Sequence, residues 1–363
     1  MSLFKDMLRG DESLFINEVA LEYDFLPKLL PYRENEQRYL ATCIAPLLQN
    51  RTGRNLFIFG VPGIGKTAAT RFVLRDLEEE SDEVVPIYVN CWQKNTTYKV
   101  MLELSSILGY KFTHNKRTDE LFSVVKQILN KRSVVFVFDE VDKLEDYDFL
   151  YSLMEEIYKK SIFMITNHEE WLDELDQRIR SRLLPEKVNF KAYNNSETRG
   201  ILKQRIKYAF VQDTWDANAF EIAATKTSEI GDVRTGLYIL KEAGLAAENA
   251  SSRKITKAHV DEAVKKIEDF TTKKKESLED ETKNILDLVK VNSGKKIGDL
   301  FKIYQAQGGT SVYKTFQRKI RKLADNRFIS VEKIMGGTGG TTTIVYSGTT
   351  RKLDEFKTLT DFS

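Results

Sequence analysis

The sequence contains little that would cross-link the chain, hold a structural metal or anchor it in a membrane. Among its 363 residues are two cysteines, Cys43 and Cys91, and three histidines. These are too few and too scattered for a disulfide framework or a zinc cluster. No apolar run approaches the roughly 18 residues that a membrane helix needs, and the opening MSLFKDMLRGDES lacks the apolar core of a secretory signal. We therefore expect a protein inside the cell, with no membrane partner and no metal held by protein ligands alone.

Length and charge distribution indicate a modular protein with one basic end. A chain of 363 residues is too long for one ordinary hydrophobic core and long enough for two or three domains. The formal net charge is only +2, but residues 280–350 contain twelve Lys or Arg against six Asp or Glu. This local excess favours an anionic partner for the C-terminal part of the chain.

The hydrophobic pattern changes along the chain. From residue 56 to about 190, apolar runs (LFIF, VVPIYV, VVFVF and SIFMIT) alternate with longer helix-like segments, which is typical of a parallel sheet with helices on both faces. From about 191 to 270 the pattern is helical, and Ser196 and Thr256 are predicted to cap two of these helices. The sequence thus predicts an α/β domain followed by a helical one.

A third unit is predicted beyond the charged stretch TTKKKESLEDE at 271–281, which indicates a linker or an exposed helix joint. The unit contains three helical patterns, with a GGTS turn before the last, and then two β-like runs around GGTGG at 336–340. This order of elements is that of a winged helix-turn-helix. We find no internal repeat.

The stretch LFIFGVPGIGKTAATRF at 56–72 carries the strongest chemical signal. It satisfies the phosphate-loop pattern G-x-x-x-x-G-K-[ST] and stands after a predicted strand and before a predicted helix. Glycines let backbone N–H groups surround a phosphate, and the helix N-terminus adds partial positive charge. Lys66 is predicted to reach the β- and γ-phosphates, and Thr67 to bind Mg²⁺. The loop residues assigned to the nucleotide are Gly60, Gly63, Ile64, Gly65, Lys66, Thr67 and Ala68.

An acidic pair supports the same interpretation. The apolar run VVFVF ends in Asp139 and Glu140. At the carboxyl edge of a strand, Asp139 can hold the metal through water, and Glu140 can polarise an attacking water. Acidic capping of a strand end is the alternative when such a pair stands alone. Together with the phosphate loop, the pair predicts a site for Mg-ATP or Mg-ADP.

The phosphate loop, the Asp-Glu pair and the sequence MITN at the next strand end together resemble the AAA+ ATPases. The resemblance implies that Asn167 is the polar residue that orients water near the γ-phosphate. It also implies that Arg234, in GDVRTGLYIL, lies on a lid helix and contacts the phosphates.

More specifically, the chain resembles the archaeal replication initiators of the origin-recognition and cell-division-cycle type. The resemblance covers nearly the whole chain and rests on the ordered set LPKLLPYRENEQRYL, VNCWQKNTTYKVMLELSSILG, LDQRIRSRL, the GDVR lid and the terminal winged helix. It implies that Tyr193 and Arg205 lie near the base and phosphates. It also implies that Arg178 is offered to a neighbouring subunit's nucleotide, with Arg180 and Arg182 as alternatives.

Two stretches depart from the pattern of that family. KLEDYDFLYSLMEEIYKK, after Glu140, is shorter than usual, and YKFTHNKRTDELF lacks the glycines usual in the initiator-specific insertion. DNA contacts by Lys116 and Arg117 in this insertion are implied by the resemblance alone. These departures are what a divergent paralogue would show.

The third helix of the C-terminal unit, SVYKTFQRKIRKL, has two different faces. Its apolar residues Val312, Phe316, Ile320 and Leu323 recur at helical spacing and predict one buried stripe. The opposite face carries Lys314, Gln317, Arg318 and Arg321. Such a helix suits a major groove, where Arg and Gln can contact base edges and Lys can neutralise phosphates. The alternative is an ordinary solvated amphipathic helix.

The glycine-rich hairpin MGGTGGTTT offers a second contact with DNA. A narrow tip exposes backbone N–H groups, and we expect Lys333, Gly337 and Thr338 to approach phosphate oxygens of an adjacent minor groove. A flexible loop without function is the alternative.

The sequence therefore predicts an AAA+ P-loop domain with a parallel sheet and a helical lid, followed by a winged helix-turn-helix. The expected boundaries are 1–190 for the nucleotide-binding base, 191–275 for the lid, 280–350 for the winged helix and 351–363 for a tail. We expect a nucleoid-associated cytoplasmic initiator that binds ATP or ADP with Mg²⁺ and duplex origin DNA.

Paralogous initiator subunits and, by resemblance, a replicative helicase are the expected protein partners. Hydrolysis should be slow, because a site that borrows an arginine from a neighbour is incomplete alone. Two alternatives stay open here: an ATP-dependent transcription regulator or signalling ATPase with a winged helix, and a clamp-loader-like assembly factor.

Overall fold

The structure is a computed structural model, and it describes the backbone of residues 13–276, 280–326, 328–336 and 340–347. Side chains in these ranges are described except at 270–276, 280, 325, 333–336 and 340–342. The chain forms two compact units. The first, called here the sheet unit, consists of Asn17–Ala209 and Asp232–Leu237; the second, the helical unit, is drawn from Met1–Ile16, Phe210–Gly231 and Tyr238–Ser363.

The sheet unit alternates strands and helices, as the apolar runs predict. Its strands are Leu56–Phe59 (β1), Val84–Asn90 (β2), Ser133–Asp139 (β3), Lys160–Ile165 (β4) and Glu186–Asn189 (β5). Its helices are Glu34–Leu48 (α1), Lys66–Glu80 (α2), Thr97–Ile107 (α3), Thr118–Leu129 (α4), Asp148–Glu156 (α5), Trp171–Glu174 (α6), Gln177–Leu183 (α7) and Asn195–Ala209 (α8). Short 3-10 helices span Glu18–Leu21 and Val141–Lys143.

All five strands are parallel, in the order β2-β3-β4-β1-β5. Asn90 at the end of β2 pairs with Asp139 at the end of β3, and Asp139 pairs with Ile165 at the end of β4. The carboxyl ends of three strands are therefore level. Ligands of open parallel sheets bind at this edge. The register also places the predicted acidic pair and Asn167 close together, because they stand at or just after these strand ends.

The sheet separates two hydrophobic cores, which confirms the prediction of helices on both faces. Val135 and Val137 of β3 point into one core, beside α1 and α2. Phe136 and Phe138 of the same strand point into the other, beside α3, α4 and α5. Every residue of β3 is buried, which explains why this strand has a continuous apolar run instead of an alternating pattern.

The helical unit contains the remaining elements. Its helices are Ala217–Ile230 (α9), Val233–Asn249 (α10, which begins in the sheet unit), Lys257–Glu276 (α11), Asp280–Val291 (α12), Ile297–Ala306 (α13) and Tyr313–Asp325 (α14). Its strands are Lys295–Lys296 (β6), Ile329–Gly336 (β7) and Gly340–Ser347 (β8). Thr256 directly precedes α11, as predicted. Ser196 does not cap α8, because the side chain of Asn194 accepts the backbone N–H of Glu197 instead.

The last six elements form a winged helix around their own core. The antiparallel sheet has the order β6-β8-β7, and helices α12, α13 and α14 share one cluster of buried residues with it. Phe316, Ile320 and Leu323 of α14 are buried there, as predicted. Val312 is not part of the stripe: it lies just before the helix and is 68% exposed. Across the described ranges, no helix is both long and apolar enough to traverse a bilayer.

Candidate functional site

The loop between β1 and α2 has the geometry of a phosphate cradle. Lys66 opens α2, and its Nζ donates to the carbonyl oxygens of Gly60 (2.7 Å) and Val61 (3.0 Å) and to Oδ1 of Asn167 (2.8 Å). Two residues predicted from separate motifs, 101 positions apart, are thus in direct contact. All three of these acceptors are uncharged, so phosphate oxygens arriving at the ammonium group would form stronger, charge-assisted bonds.

Two loop glycines are required by close contacts as well as by backbone geometry. Gly63 has φ +77°, and a Cβ there would lie 1.9 Å from Oδ1 of Asp232. Gly65 has φ +87°, and a Cβ there would lie 2.6 Å from the hydroxyl of Tyr193. A larger residue at either place would push away the lid-helix carboxylate or the Tyr193 ring. Of the other assigned loop residues, Ile64 is buried and Ala68 lies in the first turn of α2.

Asp139 lies at the end of β3 and is 3% exposed. Its Oδ2 accepts the hydroxyl groups of Thr67 (2.5 Å) and Tyr88 (2.9 Å), and its Oδ1 accepts the backbone N–H of Glu140 (2.8 Å). Burial raises the pKa of Asp139, while these three hydrogen bonds favour the ionised form and act in the opposite direction.

The Thr67 hydroxyl and the Asp139 carboxylate fit Mg²⁺, which binds to proteins through one or two oxygen ligands and takes the rest from water and phosphate. No group of three or more His, Cys, Asp or Glu suited to a metal occurs among the described residues.

Glu140 follows Asp139 with an unusual backbone: its φ of 55° and ψ of 45° place it in the left-handed region. Burial and the negative charges of the nearby Asp139 and Asp142 raise the pKa of the Glu140 carboxyl group. Asp142 in turn accepts the hydroxyl of Thr166 at 2.8 Å, which ties the segment after β3 to the end of β4. Glu140 and Asn167, the predicted base and the predicted sensor, line the same cavity.

Arg234 lies at the start of α10, beside the loop. Its guanidinium donates to both carboxylate oxygens of Asp232, at 3.3 Å each, and the backbone N–H of Val233 donates to the carbonyl of Gly63. The GDVR segment thus contacts the phosphate loop directly. Half of the Arg234 side chain stays exposed, which leaves room for contact with a phosphate.

These groups line one cavity of about 220 Å³ within the sheet unit. The predicted residues that line it are Gly63, Gly65, Lys66, Thr67, Ala68, Asp139, Glu140, Asn167, Tyr193, Arg205 and Arg234. The segment from Tyr23 to Pro31 forms a further wall. Sequence analysis did not assign any residue of this wall to the nucleotide site.

Arg205 lines the cavity and also holds one of its walls. Its guanidinium is buried and donates to the carbonyl oxygens of Ala20 (3.1 Å) and Phe25 (3.2 Å), and it lies over the Phe25 ring at 5.1 Å. Burial lowers its pKa to about 10. These contacts connect Arg205 to the segment from Tyr23 to Pro31. Its place near the base and phosphates stays a prediction.

Arg33 contacts the phosphate loop, and sequence analysis did not assign it to the site. It is 4% exposed, and its guanidinium donates twice to the carbonyl of Ile64 (3.1 and 2.9 Å) and once to that of Lys191 (2.6 Å). It also stacks on the Tyr193 ring at 3.9 Å. One buried cation thus joins the phosphate loop to Tyr193. The motif LPYRENEQ contains Arg33 and also Glu36, with which it forms an ion pair at 3.1 Å. Its other hydrogen-bond partners are backbone carbonyls, which no sequence pattern reveals.

The three arginines of α7 differ in their partners. Arg180 lies 3.6 Å from Asp173, and Arg182 pairs with Glu155 and lies over the Tyr151 ring. Arg178 is exposed, and its guanidinium has no ion pair with any described residue. Of the three candidates, Arg178 is therefore the one available to another molecule.

The basic face of α14 is solvent-exposed as predicted at Lys314, Gln317, Arg318 and Arg321. Lys319 is turned inward instead: its side chain is 12% exposed and pairs with Glu281 at 2.5 Å. In the hairpin, the backbone of Lys333 on β7 is in register with Thr343 on β8. The side chain of Lys333 lies outside the described set. Gly337 and Thr338 are also outside the described residues.

The predicted DNA-contacting residues of the insertion lie at the start of α4. Lys116 pairs with Glu120 at 3.2 Å, and Arg117 is 81% exposed with Asp119 3.9 Å away. Glu120 also accepts the backbone N–H of Arg117 at 2.9 Å. Local acids thus offset both cations, which leaves little net positive charge at this place.

Comparison with known protein families gives two matches. Residues 199–265 match the Cdc6 AAA+ ATPase-type lid domain, and residues 49–176 match the AAA domain. The second match covers the phosphate loop, Asp139, Glu140 and Asn167. The first contains Arg205 and Arg234.

Similar proteins and structures cover most of the chain. ORC1-type DNA replication protein 1 of Archaeoglobus fulgidus is 33% identical over 344 residues, which is 89% of this chain and 84% of that protein. Its namesake from Sulfurisphaera tokodaii is 34% identical over 268 residues, 70% of this chain and 67% of the relative.

Among solved structures, the Aeropyrum pernix ORC1 protein in complex with DNA has a TM-score of 0.66 at 26% identity and covers 92% of this chain and 94% of its own. The Aeropyrum pernix ORC2 protein, in ADPNP–ADP complexes, has a TM-score of 0.70 at 16% identity with the same coverage. The latter supports the fold alone.

Proposed function

The chain belongs to the family of ORC1-type DNA replication proteins, and on that premise we propose that it binds duplex origin DNA and helps to recruit the replicative helicase under the control of bound ATP. It is an AAA+ ATPase with a replication-initiator role.

The convergence of Lys66, Thr67, Asp139, Glu140 and Asn167 on one cavity carries the nucleotide part of the proposal. Lys66 meets the β- and γ-phosphates, and Asn167, already in contact with Lys66, orients water beside them. Glu140 accepts a proton from that water. Bound Mg²⁺ would be held by Thr67 and Asp139 and would neutralise phosphate charge.

Nucleotide state would be transmitted through the contact between the GDVR segment and the loop. Asp232 touches Gly63, and Arg234 is fixed to Asp232. A γ-phosphate that attracts Arg234 would therefore change how the lid helix rests on the loop. This supports a switch with slow turnover. Arg178, exposed and without an ion pair in the described part of the chain, would complete the site of a paralogous subunit.

DNA binding is assigned to the exposed face of α14. Lys314, Gln317, Arg318 and Arg321 lie on that face while Phe316 packs inward, which is the arrangement of a recognition helix in a major groove. The DNA complex of the Aeropyrum pernix relative supports the same partner here. We keep 1–190, 191–275 and 280–350 as the functional divisions; the tail 351–363 lies outside the described residues.

The nucleotide assignment is tested with Lys66→Ala. This change removes the charge that meets the phosphates, and calorimetry should show at least a tenfold loss of ADP and ATP affinity in a folded protein. Lys131→Ala is the matched control, because Lys131 is exposed just before β3, at the end of that strand opposite the cavity. Unchanged affinity in Lys66→Ala would show that the loop does not hold the nucleotide.

The DNA assignment is tested with Arg318→Ala, Arg321→Ala and Lys314→Ala, titrated against origin and random duplexes at several salt concentrations. Both arginine substitutions should weaken binding to origin DNA. At least one should also reduce the difference in binding free energy between the origin and random duplexes by about 1–3 kcal/mol, the value of a bidentate guanine contact. Lys314→Ala should weaken both duplexes alike and lower the salt slope by about 1.

Lys290→Ala, on α12, is the control for general loss of charge. Wild-type binding of both duplexes by all three α14 variants would refute the assignment. Footprints at promoters instead of an origin would favour a transcription regulator, and a stable ring with a sliding clamp would favour an assembly factor.

A further inference from the structure

Tyr88 lies in β2, and its hydroxyl reaches Asp139, which lines the cavity. β2 pairs with β3 in register, with Tyr88 opposite Val137. Its ring packs against the core beside α1 and α2, and the guanidinium of Arg71 on α2 lies 5.7 Å from the ring centroid. These contacts fix the ring, so the position of its hydroxyl is determined by the sheet and by α2.

The hydroxyl of Tyr88 donates to Oδ2 of Asp139 at 2.9 Å, the same oxygen that accepts the Thr67 hydroxyl at 2.5 Å. The other carboxylate oxygen accepts the backbone N–H of Glu140 at 2.8 Å. Thr67 and Asp139 are the two residues assigned to Mg²⁺. Among the described residues, Tyr88 is therefore the one side chain hydrogen-bonded to this carboxylate that belongs neither to the phosphate loop nor to the acidic pair.

The hydrogen bond from Tyr88 fixes the orientation of the carboxylate. A donor on Oδ2 whose own position is set by the sheet and α2 restricts rotation of the carboxyl group and keeps that oxygen turned toward Thr67. A metal ligand must be correctly oriented, and hydrogen-bond partners that orient a ligand typically change metal affinity by about 10–100-fold.

We propose that Tyr88 is a positioning residue for the divalent cation: its hydroxyl keeps the carboxylate of Asp139 turned toward the metal. The inference rests on the proposed Mg²⁺–nucleotide site. It assigns Tyr88 no contact with nucleotide or metal. Tyr88 acts through Asp139.

The test is Tyr88→Phe, which removes one oxygen and keeps the ring. Mn²⁺ is titrated into the protein–ADP complex and free Mn²⁺ is followed by electron paramagnetic resonance, while ADP binding is measured separately in EDTA. We expect Mn²⁺ affinity 10–100-fold below wild type, with ADP affinity in EDTA within twofold of wild type. A merely structural role would lower both affinities or neither.

Tyr39→Phe is the matched control, because the Tyr39 hydroxyl also donates to a carboxylate, that of Glu186 on β5, which does not line the cavity. Its Mn²⁺ affinity should equal wild type. Asp139→Asn should lose Mn²⁺ binding.

Wild-type Mn²⁺ affinity in folded Tyr88→Phe, or an equal loss of ADP affinity in EDTA, would overturn the inference. Wild-type protein that binds ADP but holds no Mn²⁺ beyond that of ADP alone would overturn the metal site itself. No ADP binding by the wild type would overturn the nucleotide site, and this inference with it.

Discussion

Replacing Arg33 by alanine should weaken both the sheet unit and its nucleotide site. The guanidinium is buried, donates twice to the Ile64 carbonyl and stacks on Tyr193. The change leaves the Ile64 carbonyl buried without its donor, which costs about 1–3 kcal/mol. It also removes a cation–π contact worth about 0.5–2 kcal/mol. The Lys191 carbonyl is in an exposed residue, so water can replace that bond.

These contributions add to about 3 kcal/mol. For a unit of roughly 200 residues, each kcal/mol lowers the melting temperature by about 2–4 °C, so we expect a decrease of roughly 6–12 °C. ADP must then order the loop and the Tyr193 ring as it binds, and its affinity should fall by about tenfold, or 1.4 kcal/mol.

Differential scanning calorimetry and ADP titration measure the two effects. Arg33→Lys should restore less than half of the loss, because an ammonium group cannot donate in the planar fork of a guanidinium. Arg38→Ala, exposed on the same helix, should melt within about 1 °C of wild type, as surface changes usually do. If Arg33→Ala behaves like Arg38→Ala in both measurements, the joining role of Arg33 is wrong.

Three further predictions concern other parts of the chain. Glu140→Gln should keep nucleotide binding and slow single-turnover hydrolysis by about 10²–10⁴-fold; a wild-type rate would show that Glu140 is not the base. Arg178→Ala should lower turnover only in assemblies, whereas Arg180→Ala should change it little; an equal loss in a verified monomer would place Arg178 within its own site. Hydrogen bonds from Lys319, Ser311 and Tyr304 hold the pKa of Glu281 at about 2. The stability that ionised Glu281 contributes should therefore be complete above its ordinary pKa of 4.5 and be lost as the pH falls toward 2. Because the carboxylate is about one-third exposed, solvent limits this contribution to about 1 kcal/mol. Amide hydrogen exchange in α14 should be faster in Glu281→Gln than in the wild type at pH 6, but not at pH 2.

Much of the fold follows from local sequence because burial on both faces leaves a strong signal. The four apolar runs became β1 to β4, since strands covered on both sides contain few polar residues. The fifth strand, EKVN, was missed because it is an edge strand in which half-buried and exposed residues alternate. Val312 was misassigned because helical spacing cannot show where a helix begins; the first turn starts one residue later.

The candidate site shows the same contrast between residues that the sequence predicts and residues that it does not. Lys66, Thr67 and Asp139 were predicted because their chemistry fixes their spacing around a phosphate and a metal. Arg33 was missed, and the wall contacts of Arg205 were not predicted, because both guanidinium groups donate to backbone carbonyls of residues distant in the chain. Which carbonyl a cation meets depends on tertiary packing, and a side-chain motif carries no information about it.

The left-handed backbone of Glu140 sets a limit on engineering this protein for heat resistance. A residue with a side chain in this conformation costs about 1–2 kcal/mol, and glycine or asparagine would adopt it more readily. A screen that rewards survival at high temperature alone would therefore favour replacement of Glu140 and discard the proposed base. Stabilisation efforts have to exempt position 140 and seek their gains elsewhere in the chain.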